Sequence, residues 1–275
     1  MARLLPGLDE AVPFQGGLLA TGRALASPRP DLALVPDRSL RARLLGRLVR
    51  ARARFGPDTA PGPTPLLERA LQAARRAGAP AADRTLRLDP PPDLARAAAP
   101  LAVLVPGGPS PTVRWGAEKF ALAAEALGRA GANVAVLGAP ADAALAARVA
   151  ELSEVSVVDL TGLGPAERVA AIASAALVLG GDVPLVHQAR ALGRPAVILF
   201  GPTDLARHAF GRADVPIRLG IECQPCAAQA PQRCPLGHLR CLTALTARPV
   251  LEAATALLQS SSGSARPEQP GPGAR

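Results

Sequence analysis

The segment "ALVLGGDVPLVHQARALGRPAVILF", residues 176–200, contains the pattern that decides the fold. Its first apolar run is a predicted buried strand that ends in a Gly-Gly-Asp turn. A helix follows Asp182, and residues 196–200 form a second predicted strand. Pro184 stands near the first helical position, where the fixed φ angle of proline suits a helix start. Two strands joined by a helix of this length run parallel, so the segment predicts one βαβ unit.

The same alternation of strands and helices extends on the N-terminal side of this unit. Strands are predicted at residues 101–106, 133–138, 155–160 and 176–181, and helices at 116–131, 141–152 and 164–175. Such alternation predicts an α/β, doubly wound parallel sheet with helices on both faces. Ligands of such a sheet bind outside the carboxyl ends of its strands. We therefore predict a nucleotide-binding, Rossmann-like domain over residues 96–259.

The residues before this domain show a weaker version of the same rhythm. Predicted elements are a strand at residues 30–36, a basic helix at 38–53, a helix at 65–78 and a strand at 84–89. A Pro-rich break at 88–100 predicts the linker between the two domains. We therefore expect a partial N-terminal domain over residues 1–95. The Ser-, Gly- and Pro-rich residues 260–275 predict a disordered tail.

The composition of the chain limits its function classes. Its 275 residues suffice for two modest domains, and its formal net charge is +9. Lys119 is the only lysine and aromatic residues make up 2%, which disfavours a nucleic-acid partner because few side chains can stack on bases. A basic surface equally suits a nucleotide diphosphate or an anionic glycolipid. No long apolar run or signal-peptide pattern occurs, so we expect a cytoplasmic protein, with contact to the membrane surface left open.

The turn that follows residue 181 contains two candidate binding residues. Asp182 would repel a phosphate, so its carboxylate suits sugar hydroxyls, or else it only caps the helix. These two interpretations remain open at the level of sequence. His187 lies about one helical turn later, where a structural hydrogen bond is the more common role than catalysis.

The loop "PGGPSPTVRW", residues 106–115, follows the first strand of the predicted domain. Gly107 and Gly108 would let a ligand approach the backbone, and Arg114 supplies a fixed positive charge for a diphosphate. Asp142 follows the next strand, where related folds place a ribose-binding carboxylate, although a helix cap is the commoner use. The loop matches neither the GxGxxG pattern nor a Walker loop.

Four cysteines fall in the short stretch "CQPCAAQAPQRCPLGHLRC", as Cys223, Cys226, Cys234 and Cys241. A CxxC pair followed by two further cysteines could close a tetrahedral zinc site. The second pair is spaced more widely than in a standard zinc ribbon, so unliganded thiols that pack a loop are favoured over structural zinc, and redox chemistry comes last. A basic zinc-dependent nucleic-acid module is a third hypothesis that the low lysine and aromatic content disfavours.

Taken together, these segments resemble glycosyltransferase family 9, the heptosyltransferases of lipopolysaccharide core assembly. Residues 176–204 are similar to the family's donor-site stretch, which ends in Phe-Gly-Pro-Thr-Asp. "RWGAEKFALAAEAL" (residues 114–127) is similar to its Lys-Arg-Trp-Pro segment and helix, and the four-cysteine stretch to one in many members. The resemblance covers about residues 8–258.

The resemblance implies a GT-B fold, in which two Rossmann-like domains with parallel sheets face a cleft. It implies inverting transfer of a heptose, or a related sugar, from an ADP-sugar to a lipopolysaccharide core acceptor or another anionic glycolipid, without a required metal or other cofactor. Donor-binding residues would be Asp182, His187, Asp142, Gly107, Gly108 and Arg114. Acceptor-side residues on the basic helix would be Arg38, Arg41, Arg43 and Arg47. The reaction would take place in the cytoplasm, and a position at the inner face of the inner membrane is left open.

The sequence also departs from the family pattern. Val113 replaces the family's lysine before Arg-Trp, and Val183 and Pro184 replace the Ser-Gly that follows the aspartate. The family's opening strand, Gly-Asp turn and helix have no counterpart, so the N-terminal domain is expected to be truncated and no catalytic base is assigned. A catalytically degenerate nucleotide-sugar-binding or scaffold protein of the same fold is therefore the alternative hypothesis.

Overall fold

In the computed structural model, the described residues are 21, 32–34, 40–49, 51–55, 72, 74–76, 100–208, 210–227 and 230–263. They fall into two compact units. The larger unit comprises the described residues of Arg87–Thr203 and Phe210–Arg275. The smaller unit comprises those of Ala2–Leu86 and Asp204–Ala209. The predicted linker and the predicted strand at residues 84–89 lie outside the described residues, apart from Pro100.

The larger unit is built on a sheet of six parallel strands. The strands are β3 (Leu101–Val105), β4 (Asn133–Val136), β5 (Val157–Asp159), β6 (Ala175–Gly181), β7 (Ala196–Phe200) and β8 (Asp214–Arg218). Their order across the sheet is β5-β4-β3-β6-β7-β8. In chain order, β4 and β5 are added on one side of β3, and β6, β7 and β8 are then added on its other side. This is the doubly wound order, and it confirms the predicted parallel sheet.

Helices cover both faces of this sheet, because the apolar side chains of its central strands point to both faces and must be shielded from water. The helices are α2 (Ala117–Arg129), α3 (Ala143–Leu152), α4 (Pro165–Ser174), α5 (Pro184–Ala191), α6 (Arg240–Thr243) and α7 (Ala247–Gly263). All five residues of β7 are buried, which is typical of a central parallel strand. Phe120 of α2 and Leu258 of α7 lie in one core cluster on one face, while α4 and α5 pack together elsewhere on β6.

Three elements of the larger unit have no counterpart in the sequence prediction, namely β8, α6 and α7. The last helix runs four residues into the segment 260–275 that composition predicts as a tail. Residues 264–275 lie outside the described residues. Apart from these additions, the predicted strands and helices between residues 101 and 200 are confirmed with shifts of a few residues at their ends.

The smaller unit contains two paired parallel strands and a helix among its described residues. Strand β1 (Leu32–Leu34) pairs with β2 (Ala53–Phe55), and helix α1 (Leu40–Leu48) lies between them in sequence. The predicted helix at 38–53 is therefore too long, because Ala53 already belongs to a strand. Residues 72 and 74–76 are helical, within the helix predicted at 65–78.

Candidate functional site

The candidate site lies where the strand order of the sheet reverses, between β3 and β6. In sheets of this kind, ligands bind outside the carboxyl ends of the strands at such a point. The loop after β3 contains Gly107, Gly108 and Arg114, and the turn after β6 contains Asp182. The topology therefore brings the two predicted donor-binding segments to one edge of the sheet.

Close contacts at glycines hold the loop after β3 against the neighbouring strand ends. An ideal Cβ atom on Gly181 would lie 2.3 Å from the carbonyl oxygen of Val113, and one on Gly201 would lie 2.8 Å from the carbonyl oxygen of Thr112. Neither position admits a side chain unless the loop moves. The hydroxyl groups of Ser110 and Thr112 both donate to the carbonyl oxygen of Pro231, which ties the loop to the cysteine-rich segment.

Asp182 and His187 form a hydrogen-bonded pair at this edge. Nε2 of His187 lies 2.7 Å from Oδ1 of Asp182. The side chain of Asp182 is 10% exposed and that of His187 is 26% exposed. Asp182 follows β6 directly, and His187 lies in the first turn of α5, so the strand-turn-helix geometry sets their separation. His187 thus has the structural hydrogen bond that its position predicts, and its partner is the candidate carboxylate.

A second pair of charged residues, Arg190 and Asp214, connects His187 to the edge strand β8. Nη1 of Arg190 lies 3.0 Å from Nδ1 of His187, and Nε of Arg190 donates to Oδ2 of Asp214 at 2.9 Å. The side chains of Arg190 and Asp214 are 5% and 7% exposed. Sequence reasoning missed both residues. The spacing of three residues between His187 and Arg190 places them on one face of a helix, which is a usable signal for Arg190.

Asp142 lies against the loop after β3. Its Oδ2 accepts a hydrogen bond of 3.0 Å from the backbone N–H of Ala139, and its Oδ1 lies 3.8 Å from Nη2 of Arg114. Nη2 of Arg114 also donates to the carbonyl oxygen of Gly108 at 2.9 Å. An ideal Cβ on Gly107 would lie 2.3 Å from the carboxyl group of Asp142. Pairwise contacts therefore connect the four predicted residues of this loop region, and Asp142 has the backbone contact of a helix cap.

Two residues that depart from the family pattern, Val113 and Val183, lie close together at this site, next to Gly108. Val113 and Val183 are both almost fully buried, and an ideal Cβ on Gly108 would lie 2.7–2.8 Å from a methyl group of each. The N–H of Val183 donates to the carbonyl oxygen of Gly181, and Pro184 has no N–H to offer. The start of α5 is thus lined by aliphatic groups, which weakens the case for a phosphate at this helix terminus.

The predicted acceptor-side arginines lie in the smaller unit. Arg41, Arg43 and Arg47 belong to α1, and Arg47 is exposed. Arg38 lies outside the described residues. Their proposed contact with an anionic acceptor remains a prediction.

None of the four cysteines forms a disulfide, and their thiols differ in their surroundings. Backbone N–H groups of residues 236–239, that of Leu239 first, lower the pKa of Cys234. Burial raises the pKa of Cys241. No three of the four sulfur atoms, all of which the structure describes, come within 4.8 Å of one another. The structural zinc interpretation remains the less favoured prediction.

None of the helices in the described part of the chain is both long and apolar enough to span a bilayer.

Comparison with known proteins identifies the relatives of the chain. A family model described as glycosyltransferase family 9 (heptosyltransferase) matches residues 59–235. No curated protein sequence matches the chain. The structure of the ADP-heptose LPS heptosyltransferase II of E. coli is similar, with a TM-score of 0.72 and 20% identity over 95% of this chain and 86% of that one.

Two further solved structures show the same likeness. The glycosyl transferase family 9 protein of Veillonella parvula DSM 2008 has a TM-score of 0.74 and 17% identity, over 88% of this chain and 78% of that chain. The E. coli heptosyltransferase WaaC, solved with ADP, has a TM-score of 0.62 and 21% identity, over 86% of this chain and 76% of that chain. At these identities the likeness establishes the fold, which is α/β of GT-B type. The family model matches more than half of the residues of the chain, and the chain therefore belongs to glycosyltransferase family 9, the heptosyltransferase family.

Proposed function

We propose that the chain transfers a heptose, or a related sugar, from an ADP-sugar to a lipopolysaccharide core acceptor or another anionic glycolipid, with inversion at the anomeric carbon. Family membership supports heptosyl transfer as the general activity. The observation that carries the proposal is the Asp182 carboxylate, which His187 holds at the strand-order reversal of the sheet. A related enzyme solved with ADP-2-deoxy-2-fluoro heptose supports a nucleotide-sugar donor.

In this proposal each residue of the candidate site has a separate task. Asp182 accepts a hydrogen bond from a hydroxyl group of the donor sugar, because an ionised carboxylate is an acceptor only. Arg114 meets the diphosphate and stabilises the charge that develops as it departs, so that no metal is required for this step. Gly107 and Gly108 allow the nucleotide to approach the backbone. Asp142 holding the ribose remains a prediction.

The acceptor side of the reaction rests on α1 of the smaller unit. An acceptor hydroxyl attacks the anomeric carbon while a carboxylate takes its proton, and that general base remains unassigned. The arginines of α1, with Arg47 exposed, would attract an anionic glycolipid. A nucleotide-sugar donor and a glycolipid acceptor together favour the cytoplasm, at the inner face of the inner membrane, as the place of this reaction.

A catalytically degenerate sugar-nucleotide-binding or scaffold protein is the second candidate. The specific observation in its favour is the apolar contact of Val113 and Val183 around Gly108. Two aliphatic side chains and a proline occupy positions at which the family pattern has a lysine and a Ser-Gly pair. Such a site would offer fewer hydrogen-bond donors to a diphosphate and would bind it more weakly.

Calorimetric titration separates the proposed enzyme from a scaffold protein that has lost the donor site. The chain would be titrated with ADP, ADP-heptose and GDP, and the same titrations repeated with Asp182→Ala and with the control Glu151→Ala, which alters an exposed carboxylate on α3. We expect ADP to bind more tightly than GDP. The additional affinity for ADP-heptose should be lost in Asp182→Ala and kept in the control. A folded chain that binds none of the three ligands would support the degenerate protein.

A further inference from the structure

A partly buried chain of charged and polar side chains connects strand β8 to the candidate site. It runs from Asp214 on β8 through Arg190 and His187 on α5 to Asp182, with successive distances of 2.9, 3.0 and 2.7 Å. All four residues belong to the larger unit. Nothing in the role proposed for Asp182 accounts for the two outer members of this chain, Arg190 and Asp214.

The guanidinium group of Arg190 is fixed on several sides. Oδ2 of Asp214 accepts from Nε of Arg190 and also from the backbone N–H of Gly211, at 2.6 Å. The ring of Phe210 lies against the guanidinium, with its centroid 5.0 Å from Cζ. A buried arginine that is paired and stacked in this way has little rotational freedom. Nη1 is therefore held in a defined direction, toward His187.

This arrangement determines which nitrogen of His187 carries a proton. Arginine has donors only and stays protonated, so its Nη1 can approach Nδ1 at 3.0 Å only if Nδ1 provides a lone pair. In a neutral imidazole the proton is then on Nε2. Nε2 consequently donates to Oδ1 of Asp182, which can accept as an ionised carboxylate.

We propose that Arg190 is a positioning residue for the donor site, because it holds His187 as the tautomer that donates to Asp182 and so orients this carboxylate before the donor sugar arrives. The inference rests on the proposed function for the identity of the ligand. A hydrogen-bonding group whose direction is fixed in advance loses less entropy when the ligand binds. Asp214 in turn holds Arg190 and acts one step further from the site.

The nitrogen signals of the histidine ring test this inference without any ligand. The chain has three histidines, so labelling histidine with ¹⁵N gives few signals, and His187→Gln would assign those of His187. We expect an unprotonated Nδ1 and a protonated Nε2 in the unaltered chain. Arg190→Met should shift the Nδ1 signal, whereas Arg190→Lys should keep it nearer its original position and Arg148→Met, on the exposed face of α3, should leave it unchanged. A proton on Nδ1 in the unaltered chain, or an Nδ1 signal that Arg190→Met does not move, would overturn the inference.

Titration with ADP and ADP-heptose gives the second readout. In Arg190→Met the ratio of ADP-heptose affinity to ADP affinity should fall about tenfold, while the ADP affinity itself is kept. A change of about tenfold is expected when the charge-assisted hydrogen bond between Asp182 and the sugar is weakened. An unaltered ratio would contradict the role of Arg190. Absence of binding by the unaltered chain would count against the proposed function instead, and the nitrogen signals would still decide whether Arg190 holds His187.

Arg190→Met leaves the carboxylate of Asp214 buried without its partner, which can unfold the chain. The double variant Arg190→Met/Asp214→Asn avoids this because it removes both charges and keeps a carbonyl oxygen for the N–H of Gly211. Circular dichroism and thermal melting establish that it is folded. The double variant should show the same shift of the His187 Nδ1 signal and the same fall in the affinity ratio as Arg190→Met. A folded double variant with the Nδ1 signal and the affinity ratio of the unaltered chain would overturn the proposal.

Discussion

Nε2 of His187 lies 2.7 Å from Oδ1 of Asp182, across the turn that connects β6 to α5. The two residues are five positions apart, and the helix start between them contains Val183 and Pro184. The aliphatic residues of this turn offer little to a phosphate. The hydrogen-bonded pair offers a fixed carboxylate to a hydroxyl group. The turn is therefore better suited to the sugar than to the diphosphate of the donor.

The first prediction concerns His187. His187→Ala should lower the affinity for ADP-heptose about tenfold, because the carboxylate of Asp182 loses the donor that orients it. His187→Gln should cost less, since an amide N–H can still donate to Asp182. Calorimetric titration with ADP-heptose and ADP measures both effects. Equal losses for the two nucleotides, or an equal loss in both variants, would show that the hydrogen bond to Asp182 does not matter for the sugar.

The second prediction concerns Lys119, the only lysine of the chain. Its Nζ donates to the carbonyl oxygens of Leu242, Thr243 and Leu245 at 2.8–3.0 Å, at the end of α6 and the start of the connection to α7. Lys119→Met removes these donors and should lower the free energy of unfolding by about 1–3 kcal/mol.

Denaturant unfolding followed by circular dichroism measures this change. Lys119→Arg should retain more of the stability, because it keeps a positively charged donor in place. The surface variant Arg148→Met provides the control, since the exposed guanidinium of Arg148 pairs with Glu151 on the same helix. Lys119→Met with the stability of the unaltered chain would mean that the carbonyl groups find other donors.

The third prediction concerns the glycine at the end of β6. Gly181→Ala would place a methyl group 2.3 Å from the carbonyl oxygen of Val113, so the loop after β3 must move. Overpacking of this kind costs about 1–3 kcal/mol, and the shifted loop should bind ADP more weakly. Gly162→Ala is the matched control, because an ideal Cβ there has no atom within 4 Å. Melting temperature and ADP affinity would be compared, and equal values in the two variants would contradict the close approach.

Much of the fold could be predicted because the central strands are continuous apolar runs. Strands β3, β6 and β7 are buried on both faces, and such strands contain few polar residues to obscure the pattern. Strand β8, with the sequence DVPIR, escaped prediction because it is charged at both ends and interrupted by Pro216. Proline is tolerated there because β8 is an edge strand.

The candidate site was predictable only in part, for a related reason. Asp182 and His187 occur in one short segment whose strand-turn-helix pattern is visible in the sequence. The contact between Arg190 and Asp214 depends on β8, which the sequence did not reveal, and no pattern connects residues 24 positions apart without that strand. The packing of Val113 and Val183 around Gly108 likewise depends on how two loops meet.

The fourth prediction concerns the thiols of the cysteine-rich segment. Partial desolvation and the nearby Cys223 and Cys234 raise the pKa of Cys226, whereas backbone N–H groups lower the pKa of Cys234. The thiolate is the reactive form, and a lowered pKa means that it is present at lower pH. The rate of alkylation of Cys234 by iodoacetamide should therefore reach half its maximum at a lower pH than that of Cys226, with mass spectrometry of the modified peptides as the measurement.

The pH of half-maximal rate reports the pKa, whereas exposure changes the maximal rate, so the two effects can be separated. Cys226 is exposed and Cys234 is half-buried, so access favours a higher maximal rate for Cys226. Cys241 is buried and should react last, because burial both raises its pKa and limits access. Cys234→Ser and Cys226→Ser identify the two signals. If Cys226 reached half-maximal rate at the lower pH, the backbone donors around Cys234 would not stabilise its thiolate. If added zinc protected all four thiols together, the less favoured metal interpretation of this segment would replace that of independent thiols.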